Sequence, residues 1–274
     1  MPSRWEVRLA GPADVAIPLA APLAVVSGWL DDPPRERSQP GVAAPRRSGH
    51  GEQARKWACG PLRALPGGTQ GISLQVRLLD DSLGGRLQAA TCPGRAVRLG
   101  AHGYRLAETA HQAEWASWQD LRHWSGARAW QVRYVTPVCL RRGNRTSPWP
   151  APESVARGLA ERWHRLDPAT APPLPGPGAG PVWVSDIDGR SEVQVLTRRV
   201  MRGGQWQAED EIISGFAGRV RYVCDRGTDA EAAEFGALMA FAVFAGAGSH
   251  TTYGFGVVAP EPTWQPPTQQ PGRP

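Results

Sequence analysis

Ala129-Trp130-Gln131-Val132-Arg133-Tyr134 repeats, in mid-chain, the pattern of Arg4-Trp5-Glu6-Val7-Arg8-Leu9 near the start. In each, apolar residues alternate with polar ones, as in a strand with one face on a core and one in water. Trp-x-Val-Arg-apolar thus opens both halves of the 274-residue chain. A length of this order suits two domains of ordinary size, and 41% hydrophobic residues are enough to fill two cores.

The two copies lead into similar successions of elements. After the first strand, Leu19, Leu23, Val26 and Leu30 recur at helical spacing. After the second, Pro152 fits a first helical turn, and Val155, Leu159, Trp163 and Leu166 form a stripe. Strand patterns come next: Ile72–Leu78, Ala96–Leu99 and Tyr104–Ala107 in the first half, Val182–Ser185, Val193–Thr197 and Phe216–Cys224 in the second. Each half then has a second helix. Ser117-x-x-Asp120 caps a short one carrying Trp118, Leu121 and Trp124, and Thr228-Asp229-Ala230-Glu231 is a capping box ahead of Phe235–Ala245. Gly254–Val258 reads as the closing strand.

Strand–helix–strand–strand–helix–strand is the ferredoxin-like βαββαβ order. The sequence therefore predicts an α+β protein of two tandem ferredoxin-like, RRM-like domains, residues 1–126 and 127–262, joined near residues 125–128. Asp31–Gly49, with four prolines and several arginines, reads as a loop insertion, and Asp167–Pro181 as a Pro/Gly-rich linker. Residues 263–274 form a Pro/Gln tail expected to be disordered.

Composition narrows the function. Thirty-one Lys+Arg against 25 Asp+Glu give a net charge of +6, which favours a polyanionic partner. All but one of the basic residues are arginine, which binds phosphate bidentately and stacks on bases. Cys59, Cys92, Cys139 and Cys224 are scattered, and no histidine pair has ligand spacing, so neither a disulfide scaffold nor a metal site is expected. No 18-residue apolar stretch occurs and the N-terminus opens on a charged strand, so a cytoplasmic protein without a membrane partner is expected. P-loop, dinucleotide and nucleophile-elbow motifs are absent.

Two segments can carry chemistry. Gly246-Ala247-Gly248-Ser249-His250-Thr251-Thr252-Tyr253-Gly254-Phe255-Gly256 comes directly after the last helix. Such a glycine-rich loop can bring backbone N–H groups close to a phosphate; glycine there equally serves a helix C-cap and a tight entry to a strand. The other segment is Ser48-Gly49-His50-Gly51-Glu52, flanked by Arg46, Arg47, Arg55 and Lys56. Cationic neighbours favour neutral imidazole, able to take a proton, and also stabilise charge on a phosphorane. His102, His111, His123 and His164 read as strand or helix residues. Trp57, Trp149 and Trp206 lie in or near loops and are candidates for stacking on bases.

These residues resemble the CRISPR-associated endoribonuclease family that processes precursor crRNA, the Cas6 family of the RAMP superfamily. The resemblance rests first on Gly215-Phe216-Ala217-Gly218-Arg219-Val220-Arg221-Tyr222, then the helix, then the glycine loop. Val135-Thr136-Pro137-Val138 with Pro148-Trp149-Pro150-x-Pro152 and Arg162-Trp163 is similar to its mid-chain segment. His50 with Lys56-Trp57-x-x-Gly60-Pro61-Leu62 is similar to its N-terminal segment. The resemblance implies two ferredoxin-like domains, binding of CRISPR repeat RNA, and one cut without metal or cofactor. In that cut the ribose 2′-OH attacks the adjacent phosphate, leaving a 2′,3′-cyclic phosphate and a 5′-OH. It implies His50 as general acid or base, with Lys56, Arg46 and Arg47 stabilising charge, and assigns RNA binding to Arg46, Arg47, Arg55, Gly246, Gly248, His250, Thr251, Thr252, Gly254 and Gly256. Family members often pair the histidine with a tyrosine. Here Tyr104 is the nearest, and only folding can bring it there. A homodimer and association with other CRISPR effector subunits stay open, as does a second reading, a non-catalytic RAMP subunit that holds crRNA. A general single-strand RNA binder is a third reading, and it lacks an aromatic pair in a recognisable RNP strand.

Overall fold

The computed structural model describes residues 1–31, 55–67, 70–123, 127–142, 145–176, 180–202 and 204–261, with backbone alone at Arg142, Arg145, residues 198–200 and Trp206. Two antiparallel sheets organise it, each in ferredoxin-like order. The first unit comprises β1 (Ser3–Ala10), α1 (Ala20–Leu30), β2 (Trp57–Ala64), β3 (Gly71–Leu78), α2 (Leu83–Ala90), β4 (Ala96–Leu99), β5 (His102–Leu106) and β6 (His111–Trp115). A short helix α3 (Trp118–Arg122) leads to the second unit. That unit comprises β7 (Ala129–Val138), a ribbon of β8 (Leu140–Arg142) and β9 (Arg145–Ser147), α4 (Pro152–Leu166), β10 (Trp183–Arg202), β11 (Gln205–Val223), α5 (Asp229–Ala245) and β12 (Val258–Pro260).

The repeated motif supplies the central strand of each sheet. β1 lies between β3 on one side and β5 and β6 on the other, and β7 lies between β11 and β12. Trp5, Val7 and Leu9 bury into the first core, and Trp130, Val132 and Tyr134 into the second. The second core is aromatic. Trp118, Trp163 and Phe241 stack within 5.1–5.5 Å of one another, and Phe235 sits 4.9 Å from Trp130 and 5.4 Å from Tyr222. The Tyr134 and Tyr222 hydroxyls are 2.8 Å apart, and Tyr222 donates onward to the Pro150 carbonyl. Burial pushes both phenols above their ordinary range.

Several expectations change in detail. The second helix of the first unit is α2, not the Ser117-capped helix, which is α3 on the connection between sheets. Gly84 and Gly85 break the helical pattern of α2 in sequence. Gly84 is there because α2 rides on Trp5: an added Cβ would meet that ring at 3.1 Å. Both predicted capping boxes are present, at Ser117 and Thr228. The patterns at Val182–Ser185 and Val193–Thr197 belong to one strand, β10, paired with β11 from Trp183↔Val223 to Arg202↔Gln205. Turn-type residues such as Asp186, Asp188 and Gly189 hide that continuity. Only the Phe216–Val223 end of β11 pairs with β7, so the rest of the hairpin extends beyond the sheet. The closing strand is Val258–Pro260 rather than Gly254–Val258.

Apolar character all round α5 places it deepest. Residues from Phe235 to Ala245 are all buried, against α4, α3 and the strands beneath. Among the described residues no helix is long and apolar enough to cross a membrane.

Gly85 is exposed, in an open helical position with nothing within 4 Å of an added Cβ. Gly85→Ala is expected to stabilise the protein by about 0.5–1 kcal/mol, read as a higher urea midpoint. Gly84→Ala, against Trp5, is expected to forfeit that gain.

Candidate functional site

The glycine loop begins where α5 ends. Gly246 (φ +71°), Gly248 (+78°), His250 (+62°), Gly254 (+88°) and Gly256 (+63°) all adopt left-handed backbone, with Thr251–Tyr253 forming one 3-10 turn between them. At Gly256 the requirement is steric as well: an added Cβ would lie 1.8 Å from the Ala247 carbonyl oxygen. The loop closes on itself and on the end of β7. Ala247 N–H donates to Gly256 O at 2.8 Å, Ser249 N–H to Cys139 O at 2.8 Å and Gly256 N–H to Pro137 O at 2.9 Å. Thr136 donates its hydroxyl to Gly254 O and accepts from Val257 N–H. Much of the backbone expected to face phosphate is therefore spent inside the protein, and the glycines have a folding role of their own. Thr251, Thr252 and His250 are buried, whereas Gly248, Ser249, Tyr253 and Gly254 are half-buried. The His250 ring lies 3.0 Å from Ser249 Oγ and 3.9 Å from Glu211 on β11. It thereby links the loop to the long hairpin.

Two arginines lie buried beside the loop. Arg162, on α4, donates Nη1 to Ala245 O at 2.7 Å and to Thr251 Oγ1 at 3.0 Å, and Nη2 to Trp57 O at 3.4 Å. Arg77, on β3, donates Nε to Gln75 Oε1 and sits close enough to Gly246 that an added Cβ there would be 3.5 Å from its Nη1. Neither guanidinium pairs with a carboxylate among the described residues. Burial pulls Arg77 down to about 9, with the Arg4 charge adding to it, and pulls Arg162 down to about 10. Favourable compensation comes from the end of α5, whose exposed carbonyls and dipole carry negative charge and which has no basic residue in its own last turn.

Trp57 is a core residue, not a platform for bases. It is 2% exposed on β2, a strand that its Gly60-Pro61 interior conceals in sequence. Its Nε1–H donates to Asp31 Oδ1 at 2.8 Å. The other Asp31 oxygen faces Arg55 Nε at 3.4 Å, and the Arg55 guanidinium lies over the Trp57 ring, 5.2 Å from its centroid. Trp149 stays half-exposed. Lys56, exposed, pairs with Asp80 at 2.6 Å. Burial alone would raise the Asp80 carboxyl, but hydrogen bonds from Lys56 and Ser82 outweigh it and hold it at about 2.

His50, Arg46 and Arg47 lie outside the described residues, as does the tail 263–274. Tyr104 is 3% exposed and donates its hydroxyl to Pro12 O at 3.0 Å. It sits on β5 near the Ala10 end of β1, whereas Lys56 flanks the Leu78 end of β3, which pairs with Ser3. A whole eight-residue strand, roughly 23 Å at ~3.3 Å per residue, separates those ends. The fold does not bring Tyr104 to Lys56. His111 stands between Glu6 and Glu108 on β6, and the His123 and His164 rings contact carbonyls one helical turn back. Asp31 and Arg77 escape sequence reading. Period-2 alternation puts Arg77 on the solvent face of its strand, and nothing local shows that another unit covers that face.

Residues 132–258 match the family model of the CRISPR-associated endoribonuclease Cas6. Among solved structures, the chain is similar to a Cas6 product complex (TTHA0078), with TM-score 0.65 and 23% identity over 95% of this chain and 99% of the other. A substrate-mimic complex of the same protein gives 0.63 and 22% over 95% and 99%. Thermus thermophilus Cas6 (TTHB231) gives 0.62 and 20% over 95% and 98%. No curated protein matches the sequence.

Stability is expected to respond at two positions. Gly256→Ala combines a left-handed φ with a backbone clash and is expected to cost about 3 kcal/mol or more, measured by urea unfolding. The folded Asp80 carboxyl lies near 2 and an unfolded one near 3.9, so its contribution is complete above about pH 4 and is lost as pH falls toward 2. The stability gap between wild type and Asp80→Asn is expected to be flat from pH 6 to about 4.5 and to narrow by pH 3.

Proposed function

We propose that this chain, whose residues 132–258 match the Cas6 family model, is a CRISPR-associated endoribonuclease of that family, which binds CRISPR repeat RNA and cleaves precursor crRNA without a metal ion. One observation carries the reading: the family match runs into the glycine loop, and a single guanidinium, Arg162, joins that loop to the strand beside Lys56. The loop lies on the second sheet's unit and Lys56 on the first. RNA-binding and proton-transfer groups on different units then work on one substrate.

In the proposed reaction a base takes the proton of the ribose 2′-OH. The 2′ oxygen bonds to the adjacent phosphorus, the bond from phosphorus to the 5′ oxygen breaks, and an acid protonates that leaving oxygen. The products are a 2′,3′-cyclic phosphate and a 5′-OH. His50 serves as the acid or the base, both open to imidazole near neutral pH. Lys56, Arg46 and Arg47 offset the charge that builds on the phosphoryl oxygens, with Arg55 beside them. Gly248, Ser249 and Gly254, the more accessible part of the loop, meet the RNA backbone, while Gly246, Thr251, Thr252 and Gly256 hold that surface in shape. Tyr104 has a structural part in this scheme, since its hydroxyl is engaged by Pro12. The net charge of +6 favours the polyanion and makes binding weaken with salt. The expected compartment is the cytoplasm.

The test compares wild type and His50→Ala in EDTA, on all-ribose repeat RNA and on the same RNA with one 2′-deoxy at the cut site. A single product from the ribose substrate alone is expected. In His50→Ala the rate is expected to fall by about 100-fold or more with repeat binding retained. Tight binding by wild type without a product would instead identify a non-catalytic subunit that holds crRNA.

A further inference from the structure

We propose that Arg162 and Asp31 are positioning residues that couple the glycine loop, through Trp57, to Arg55. The proposal rests on the endoribonuclease reading above, and it adds to it a physical line between its two halves.

That line is continuous. Thr251 Oγ1 accepts from Arg162 Nη1 at 3.0 Å. The same guanidinium reaches Trp57 O through Nη2 at 3.4 Å. Trp57 holds Asp31 Oδ1 through its indole N–H at 2.8 Å, and Asp31 Oδ2 meets Arg55 Nε at 3.4 Å. Arg55 also stacks over Trp57, and Arg86 of α2 donates to the Asp31 carbonyl at 3.2 Å. Residues 31 and 55 are the two flanks of the segment that carries Arg46, Arg47 and His50. Both flanks therefore take their position from Trp57, and Trp57 takes part of its own from Arg162.

Chemistry selects arginine at 162. Its planar fork reaches three acceptors on α5, the loop and β2 from two separate nitrogens, whereas an ammonium would have to make all three contacts from one. Arg162 is 6% exposed and Trp57 2%, so bulk water cannot replace these contacts. Displacing groups at a cleavage site by about 1 Å costs on the order of 100-fold in rate, whereas spread-out phosphate contacts tolerate such a shift.

The experiment uses full-length protein with Arg162→Lys, Asp31→Asn and the double variant. Single-turnover cleavage of repeat RNA is measured at saturating protein, and Kd is measured with the 2′-deoxy repeat. Each single variant is expected to lose about 10-fold or more in rate with Kd within about threefold, and the double variant to lose little more than the worse single one. Amide hydrogen exchange is measured in parallel and does not need activity. In Arg162→Lys, protection is expected to fall together at residues 55–60 and 246–256. Wild-type rate in either single variant, multiplying losses in the double, or rate and Kd falling together would overturn the coupling. So would loss of protection confined to one of the two segments. Absence of any product from wild type, with exchange changing in both segments, would instead fault the endoribonuclease reading and leave the mechanical link standing.

Discussion

Two guanidinium groups buried at the end of a buried helix set the terms for the rest of the molecule. Removing Arg77 and Arg162 from water is costly, as their depressed proton affinities register. The cost is offset where α5 ends: Arg162 of α4 donates to the Ala245 carbonyl, and Arg77 of β3, on the other unit, lies beside Gly246. The helix end, both units and the loop after it must then be in place together. That interdependence fits the burial of α5 on every side from Phe235 to Ala245, the part that both units share.

The glycine loop is best understood as a consequence of that arrangement. The chain leaving α5 turns at once, at Gly246, whose left-handed φ ends the helix beside Arg162 and Arg77. It then folds back through five left-handed residues to reach β12 beside β7. The half-buried positions Gly248, Ser249, Tyr253 and Gly254 are what this folding leaves for a ligand. The loop's shape is fixed by these internal contacts, so a ligand meeting it would not have to supply the ordering entropy of a mobile loop.

How far all this is legible in the sequence depends on how local each determinant is. The two Trp-x-Val-Arg strands, the capping boxes at Ser117 and Thr228, and the stripes of α1 and α4 are written in neighbouring residues, and they suffice for two ferredoxin-like units. β2 and α2 escape such a reading because Gly60-Pro61 and Gly84-Gly85 weaken local propensity, and tertiary contacts with Gln75 and Trp5 make glycine fit there. The strand β10 is split in two by residues whose pairing with β11 is visible only across the hairpin. In the site, the glycine loop stands out by composition. Arg77 and Asp31 do not, since what makes them matter is a partner on another element. Trp57 looks like a loop residue and proves a core one for the same reason.

The meeting of Asp31 and Arg55 has a consequence for how this protein can diversify. Asp31 and Arg55 meet beside Trp57, so their separation does not depend on how much chain lies between them. Loop-closure entropy grows only with the logarithm of length, and doubling such a segment costs about 0.6 kcal/mol. Trp57 and Arg162, which set that meeting point, lie on β2 and α4 and not between residues 31 and 55. Over evolution, the length of chain between Asp31 and Arg55 can change while the contact that joins them stays the same.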